Sequence, residues 1–186
     1  MTSVLRLWLA FAALGAGVIH LAVGASAPFP LAITLAGLGI AELGWGIATL
    51  ARGRLIAPQV TLVAALIPVF FWGASATLGS GFGLPADATS LPLFPMAVAS
   101  LFNIFLSGAL AVSKRRAGAG SSTPAAAADP QGWRFLTGLI IGGVLFSGLT
   151  TPALAATDAG AHAVPHGSHS IPGLEFLDSG HFHHGH

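Results

Sequence analysis

The chain has 186 residues, of which 54% are hydrophobic and 7% charged, far below the roughly 25% charged residues of an ordinary soluble domain. Seven Lys and Arg nearly cancel six Asp and Glu, so no basic face exists to neutralise a run of phosphates, and nucleic acid is not an expected partner. The absence of cysteine excludes disulfides, thiolate metal sites and thiol redox chemistry, and leaves imidazole, carboxylate and backbone oxygen as ligands.

A bilayer core about 30 Å thick is crossed by about 20 apolar residues in helical form. Such stretches occur at Leu7 to Gly24, at Leu31 to Leu50, at about Ile56 to Leu78 with Pro68 inside it, at about Leu93 to Val112, and at Trp133 to Ala155. The expected fold class is therefore all-α: a polytopic transmembrane helical bundle of five spans arranged 4+1, followed by a disordered His-rich C-terminal tail. Residues 1–116 form the four-helix part. Residues 117–132, rich in Ala, Gly, Ser and Pro without apolar periodicity, read as a cytoplasmic flexible linker. Residues 133–155 form the fifth helix and residues 156–186 an extracytoplasmic tail.

The positions of the cations set the expected topology, because Lys and Arg near span ends stay on the cytoplasmic side. Arg6 precedes the first span, Arg52 and Arg54 follow the second, Lys114, Arg115 and Arg116 follow the fourth, and Arg134 precedes the fifth. Five spans with the N-terminus inside put all seven on one face of a cell membrane. The stretch from Trp133 through Ala153-Leu154-Ala155 also has the layout of a signal peptide, with a basic start, an apolar core and a small-residue site. It reads either as an anchor or as a sequence cut after Ala155.

An ionisable group inside a bilayer is a functional candidate by default, since a central charge costs about 2.5–3.5 kcal/mol on translocon scales. Glu42 falls near the middle of span two and His20 nearer the outer end of span one. Asn103 in span four and Pro68 in span three fall near the same depth as Glu42. Pro68 frees the carbonyl of Ala64 from its helical bond, so Glu42, Asn103 and that carbonyl can meet. One reading is a proton-binding or cation-binding site; the other is a set of interhelical hydrogen bonds in which a protonated Glu42 acts as glue. His20, close to the headgroups, reads as an interfacial or structural residue. Gly15, Gly17, Gly37, Gly39, Gly44 and Gly46 bring small residues to the first two spans, as helix contacts do. Trp8, Trp72 and Trp133 read as lipid-facing or belt residues. Trp45 is set apart by its nearness to Glu42.

Of the eight histidines, the tail holds His162, His166, His169, His181, His183, His184 and His186. Neutral imidazole suits Zn, Ni, Co and Cu(II), and a His-rich tract is a compositional cue to metal binding. Pro165 and Gly167 oppose a helix there, so binding falls to a flexible segment, and the contrary reading is a polar terminus that binds metal incidentally. No H-E-x-x-H, G-x-S-x-G or phosphate-binding loop is present, and no enzymatic activity is expected.

The segment Ala16-Gly17-Val18-Ile19-His20-Leu21-Ala22-Val23, with a second span ending in Ala-Arg-Gly-Arg, resembles a group of small uncharacterised actinobacterial membrane proteins that carry a His in the first span. The stretches Thr-Pro-Ala-Leu-Ala-Ala-Thr-Asp-Ala-Gly and His-Ala-Val-Pro-His-Gly look like the tails of similar exported proteins. The resemblance implies a polytopic membrane protein without an established activity. This chain has Ala25-Ser26-Ala27-Pro28 where that group places an acidic residue. The expected function is the handling of a divalent transition metal through the external tail, with Glu42 and His20 in the bundle as a destination for it and lipid as the surrounding partner. The alternative is a non-catalytic accessory subunit that packs against a larger membrane complex or another copy of itself.

Overall fold

The computed structural model describes residues 2–81, 91–118 and 132–163, and among them only helices occur: α1 (Ser3–Gly24), α2 (Phe29–Arg52), α3 (Pro58–Ala64), α4 (Leu66–Gly81), α5 (Leu93–Gly118), α6 (Gly132–Ala155) and α7 (Asp158–Ala161). Four of these, α1, α2, α5 and α6, are long and apolar enough to cross a membrane. The third expected span is not one helix. It breaks at Ala65 into α3 and α4, three residues before Pro68, whose ring displaces the carbonyl one turn earlier and whose nitrogen cannot donate to it.

The starts and stops are local chemistry. Thr2 caps α1 by accepting the Leu5 N–H at 3.3 Å, and Pro30 occupies the first turn of α2, where its missing N–H costs nothing. Gly53 ends α2 with φ 60°, the left-handed cap that glycine adopts without strain. Ala57 takes a similar conformation at φ 42°, and the turn it belongs to is pinned from two sides. The Trp45 indole N–H donates to the Ile56 carbonyl at 2.8 Å, and the Thr61 hydroxyl donates to the same oxygen at 3.2 Å.

The central element is α1. Of its apolar window 61% is buried, against 17% for α2 and for α6, because α2, α5 and α6 all pack on it. Small residues make this possible. A Cβ on Gly17 would stand 2.8 Å from the Gly39 carbonyl oxygen, one on Gly39 would stand 2.7 Å from the Gly17 carbonyl oxygen, and one on Gly46 would meet Leu14 and the Ala10 carbonyl. Gly15 receives the ring of Phe102 from α5. Gly37 and Gly44 face open space, so the expectation of helix contact holds for four of the six glycines and fails for these two.

The same contacts give the directions of the helices. Gly17 meets Gly39 and Gly24 meets Leu35, so α2 runs antiparallel to α1. Early α1 (Leu9, Ala13) packs with late α5 (Leu106, Leu110), and late α1 (Ile19, Val23) with early α5 (Met96, Ala99), so α5 is antiparallel as well. Val4 packs on Gly138, Trp8 on Gly142 and Gly15 on Thr150, which makes α6 parallel to α1. Two helices that run the same way, α2 and α5, require the chain between them to return along the bundle. The broken helix does this: Leu62 and Ala65 join the cluster around Leu106 and Leu110, and Trp72 the cluster around Met96 at the opposite end.

One consequence is electrostatic. Arg6, Arg52, Arg54, Lys114, Arg115, Arg116 and Arg134 all come to the same end of the bundle, as their sequence positions require. Away from the core, α2 presents Ile33, Ile40 and Ile47 and α6 presents Ile140 and Val144, all exposed. This is the apolar periphery of helices that hydrocarbon can surround. Trp133 is exposed at the start of α6, in keeping with a belt residue. Trp8 is half-buried, and its indole N–H donates to the Gly138 carbonyl at 2.8 Å, a bond that ties α1 to α6.

At the far end α6 continues as a helix through Ala155 with Pro152 inside it, and Ala153, the first residue of the small-residue site, is fully buried against α1 and α5. Thr157 then caps α7, accepting the Gly160 N–H at 3.1 Å. Gly160 lies so close to the Leu154 carbonyl that a Cβ there would collide with it.

Candidate functional site

Glu42 lies thirteen residues into α2 and ten before its end, so at 1.5 Å per residue it sits about 20 Å from one end and about 15 Å from the other. His20 lies four residues before the end of α1 and is displaced from Glu42 along the bundle axis. The displacement is closed by geometry. In an α-helix every Cα–Cβ bond tilts toward the N-terminus, and because α1 and α2 are antiparallel the two side chains lean toward each other. His20 Nδ1 and Glu42 Oε2 stand 2.7 Å apart, at hydrogen-bond distance.

The other carboxylate oxygen is also taken. Asn103 Nδ2 donates to Glu42 Oε1 at 2.8 Å, and α2 and α5, which do not pack closely on each other, are joined through this bond. Glu42 therefore links three helices, with side-chain exposures of 1% for His20 and 12% for Glu42 and 0% for Asn103. Asn103 Oδ1 is buried with no hydrogen-bond partner. A buried amide oxygen left in that state costs about 1–3 kcal/mol, and the group most able to satisfy it is a cation or a water.

The expected meeting of Glu42 with Asn103 is present. The Ala64 carbonyl does not join them: Ala64 lines an open apolar groove on α3 with Gln59, Val60, Val63 and Ile67, and neighbouring Ala65 packs at the level of Leu106 and Leu110. His20, expected to be structural or interfacial, is 1% exposed. Its contact with Glu42 was not foreseen because depth was counted along each helix separately, without the opposed tilt of the two side chains. Trp45, set apart for its nearness to Glu42, gives its indole N–H to the turn at Ile56. Also missed were Ser100, Ser107 and Thr49, all buried. Ser100, Asn103 and Ser107 form a polar stripe at helical spacing on α5, and Thr49 shares the Glu42 face of α2, so the signal for them was periodicity around the two residues already singled out.

The contact between Glu42 Oε2 and His20 Nδ1 is a hydrogen bond whose proton is carried by either the imidazole or the carboxyl group, while Oε1 accepts from Asn103; a metal cation that takes these donors displaces any proton they hold. Exchange of a proton for a cation is thus the chemistry this arrangement can perform. Its available donors are carboxylate oxygen, imidazole nitrogen and an amide oxygen.

Among the described residues no group of three or more His, Asp or Glu side chains stands ready to hold a metal. His162 is exposed at the end of α7, with Nδ1 on the Asp158 carbonyl at 2.8 Å and 3.8 Å from the Asp158 carboxylate. His166, His169, His181, His183, His184 and His186 lie outside the described residues. No family model, no curated protein and no solved structure matches the chain.

Proposed function

We propose that the chain is an integral membrane protein of five crossings that handles a divalent transition metal, Zn, Ni, Co or Cu(II), with the His-rich tail outside as the collecting segment and His20, Glu42 and Asn103 as the acceptor inside the bundle. The observation that carries this reading is the convergence of imidazole, carboxylate and an unpartnered amide oxygen at one buried point. The collection of all seven cations at one end of the bundle supports a cytoplasmic N-terminus. The return of the chain through α3 and α4 supports the fifth crossing. Since α6 parallels α1, its last turn and His162 lie at the end opposite the cations, and the tail starts from the end nearer His20. Loading a metal on Glu42 and His20 displaces any proton they hold, so binding is coupled to proton release.

The second reading, an accessory subunit held to a larger complex, is favoured by the fact that Glu42 already joins three helices, as a purely structural bond would. Metal content after native purification without added metal, followed by titration of the full chain and of a chain ending at Ala161, separates the two. Metal in the purified protein, with higher stoichiometry in the full chain, fits the first reading. Equal stoichiometry in both removes the tail from it. A metal-free protein that copurifies with a stoichiometric membrane partner favours the second.

A further inference from the structure

We propose that the bundle seats an anionic phospholipid at its cation-bearing end, with the phosphate on Arg52 and Arg54 and one acyl chain in the groove of α3. The proposal is independent of the metal reading and requires only that the helices stand in a bilayer.

The groove is lined by Gln59, Val60, Val63, Ala64 and Ile67 and has a volume of about 410 Å³, within the roughly 300–1,000 Å³ that small-ligand sites span. Val60, Val63 and Ile67 recur at helical spacing and are 68%, 62% and 54% exposed, so the apolar strip carries across the break at Ala65. The other face of the segment is the one that packs, with Leu62 and Ala65 against Leu106 and Leu110 of α5. Gln59 is the polar member of the lining and lies at the end nearer the arginines.

The charge above the strip decides what covers it. α2 ends at Arg52, Gly53 turns the chain at φ 60°, and Arg54 follows. The Trp45 indole holds the Ile56 carbonyl at 2.8 Å. Trp45 stands seven residues before Arg52, so by Ile56 the chain has returned about 10 Å below the end of α2. Arg52 and Arg54 thus crown the turn, and the groove begins beneath them. The turn keeps this shape because Thr61 donates to the same carbonyl at 3.2 Å. Lys114, Arg115 and Arg116 close α5 at the same end, on the helix against which α3 packs, and all of these cations are exposed. Among the described residues the carboxylates are Glu42 and Asp158, each facing a histidine, and neither stands at this end to neutralise them.

Unneutralised guanidinium groups over an uncovered apolar strip match the two ends of one molecule. A phosphate diester accepts bidentate bonds from Arg, and basic clusters at the ends of membrane helices take anionic head groups for this reason. A soluble anion would use the arginines and leave the groove empty. An apolar helix of another protein would fill the groove and leave the arginines unpaired.

The test is native mass spectrometry of the full chain, purified in a neutral detergent and given phosphatidylglycerol and phosphatidylcholine of identical acyl chains in equal amounts. The wild-type chain retains phosphatidylglycerol about tenfold in preference to phosphatidylcholine. Arg52→Gln with Arg54→Gln brings the two lipids to parity, whereas Arg6→Gln with Arg134→Gln, which removes the same charge from other helices at the same end, keeps the preference. Val63→Trp fills the groove and lowers retention several-fold with every cation in place. Absence of any preference in the wild-type chain overturns the proposal, and so do equal losses in the two double variants, which assign the effect to the charge of the whole end. Undiminished retention in Val63→Trp, or displacement of the lipid by inorganic phosphate alone, overturns the groove as its seat.

Discussion

Replacing Glu42 separates what the centre does for the fold from what it does chemically. Glu42→Ala leaves the Asn103 amide and the His20 ring without the acceptor that each meets at 2.8 and 2.7 Å. Orphaned buried partners cost about 1–3 kcal/mol each, yet side-chain hydrogen bonds inside membrane bundles average about 0.6 kcal/mol with a maximum of about 1.7, because helices in lipid find other partners when they separate. For two such bonds the ranges overlap at about 2–3 kcal/mol, which is the expected loss. Glu42→Gln behaves differently. Its carbonyl oxygen accepts from Asn103 and its amide donates to His20 Nδ1, with the imidazole in the tautomer that leaves Nδ1 unprotonated, so the loss stays below about 1 kcal/mol. Reversible unfolding in mixed micelles, read by tryptophan fluorescence, gives both values. A Gln variant as unstable as the Ala variant would refute the pairing described, and so would an Ala variant within about 0.5 kcal/mol of wild type.

Other substitutions probe the packing and the tail. Gly17→Val drives a branched side chain into the Gly39 carbonyl and lowers stability by about 1–3 kcal/mol in the same unfolding assay, whereas Gly44→Ala, which meets nothing, is neutral or gains up to about 1 kcal/mol. Trp8→Phe deletes the donor to Gly138 and costs about 0.5–1.5 kcal/mol, with α6 the first element to gain hydrogen-exchange rates. Intact mass of protein purified from membranes retains residues 156–186, because Ala153 is buried in the helical core and cleavage there requires unwinding the last turn of α6; a mass ending at Ala155 contradicts this. Zinc binding by the tail weakens as pH falls through about 6.5, since imidazole must lose its proton to bind, and equilibrium dialysis across pH 5 to 8 reads the change.

Most of the architecture was legible in the sequence because hydrocarbon imposes a simple rule: uncharged runs of sufficient length, with Lys and Arg at one set of ends. That rule found α1, α2, α5 and α6 to within a few residues. It read the third segment as continuous, although Pro68 was the reason for the break at Ala65. Glu42 and Asn103 were visible as polar exceptions in apolar helices. The partnership with His20 was not, since it depends on the antiparallel register set by the Gly17–Gly39 approach, which converts a difference in depth into a 2.7 Å contact. Thr49 and Ser107 escaped notice because single hydroxyls are common in membrane helices and ordinarily return to their own backbone. The bond from Trp8 to Gly138 was not legible either, because it depends on how α6 docks on α1.

The proposed binding of a metal at Glu42 is tested most directly by calorimetric zinc titration of the chain ending at Ala161, in two buffers of different ionisation enthalpy so that released protons are read. The expected result is a saturable zinc site that releases protons on binding and is abolished by Glu42→Gln while the fold is retained. Zinc binding that survives Glu42→Gln, or a shortened chain that binds no zinc at all, would contradict it.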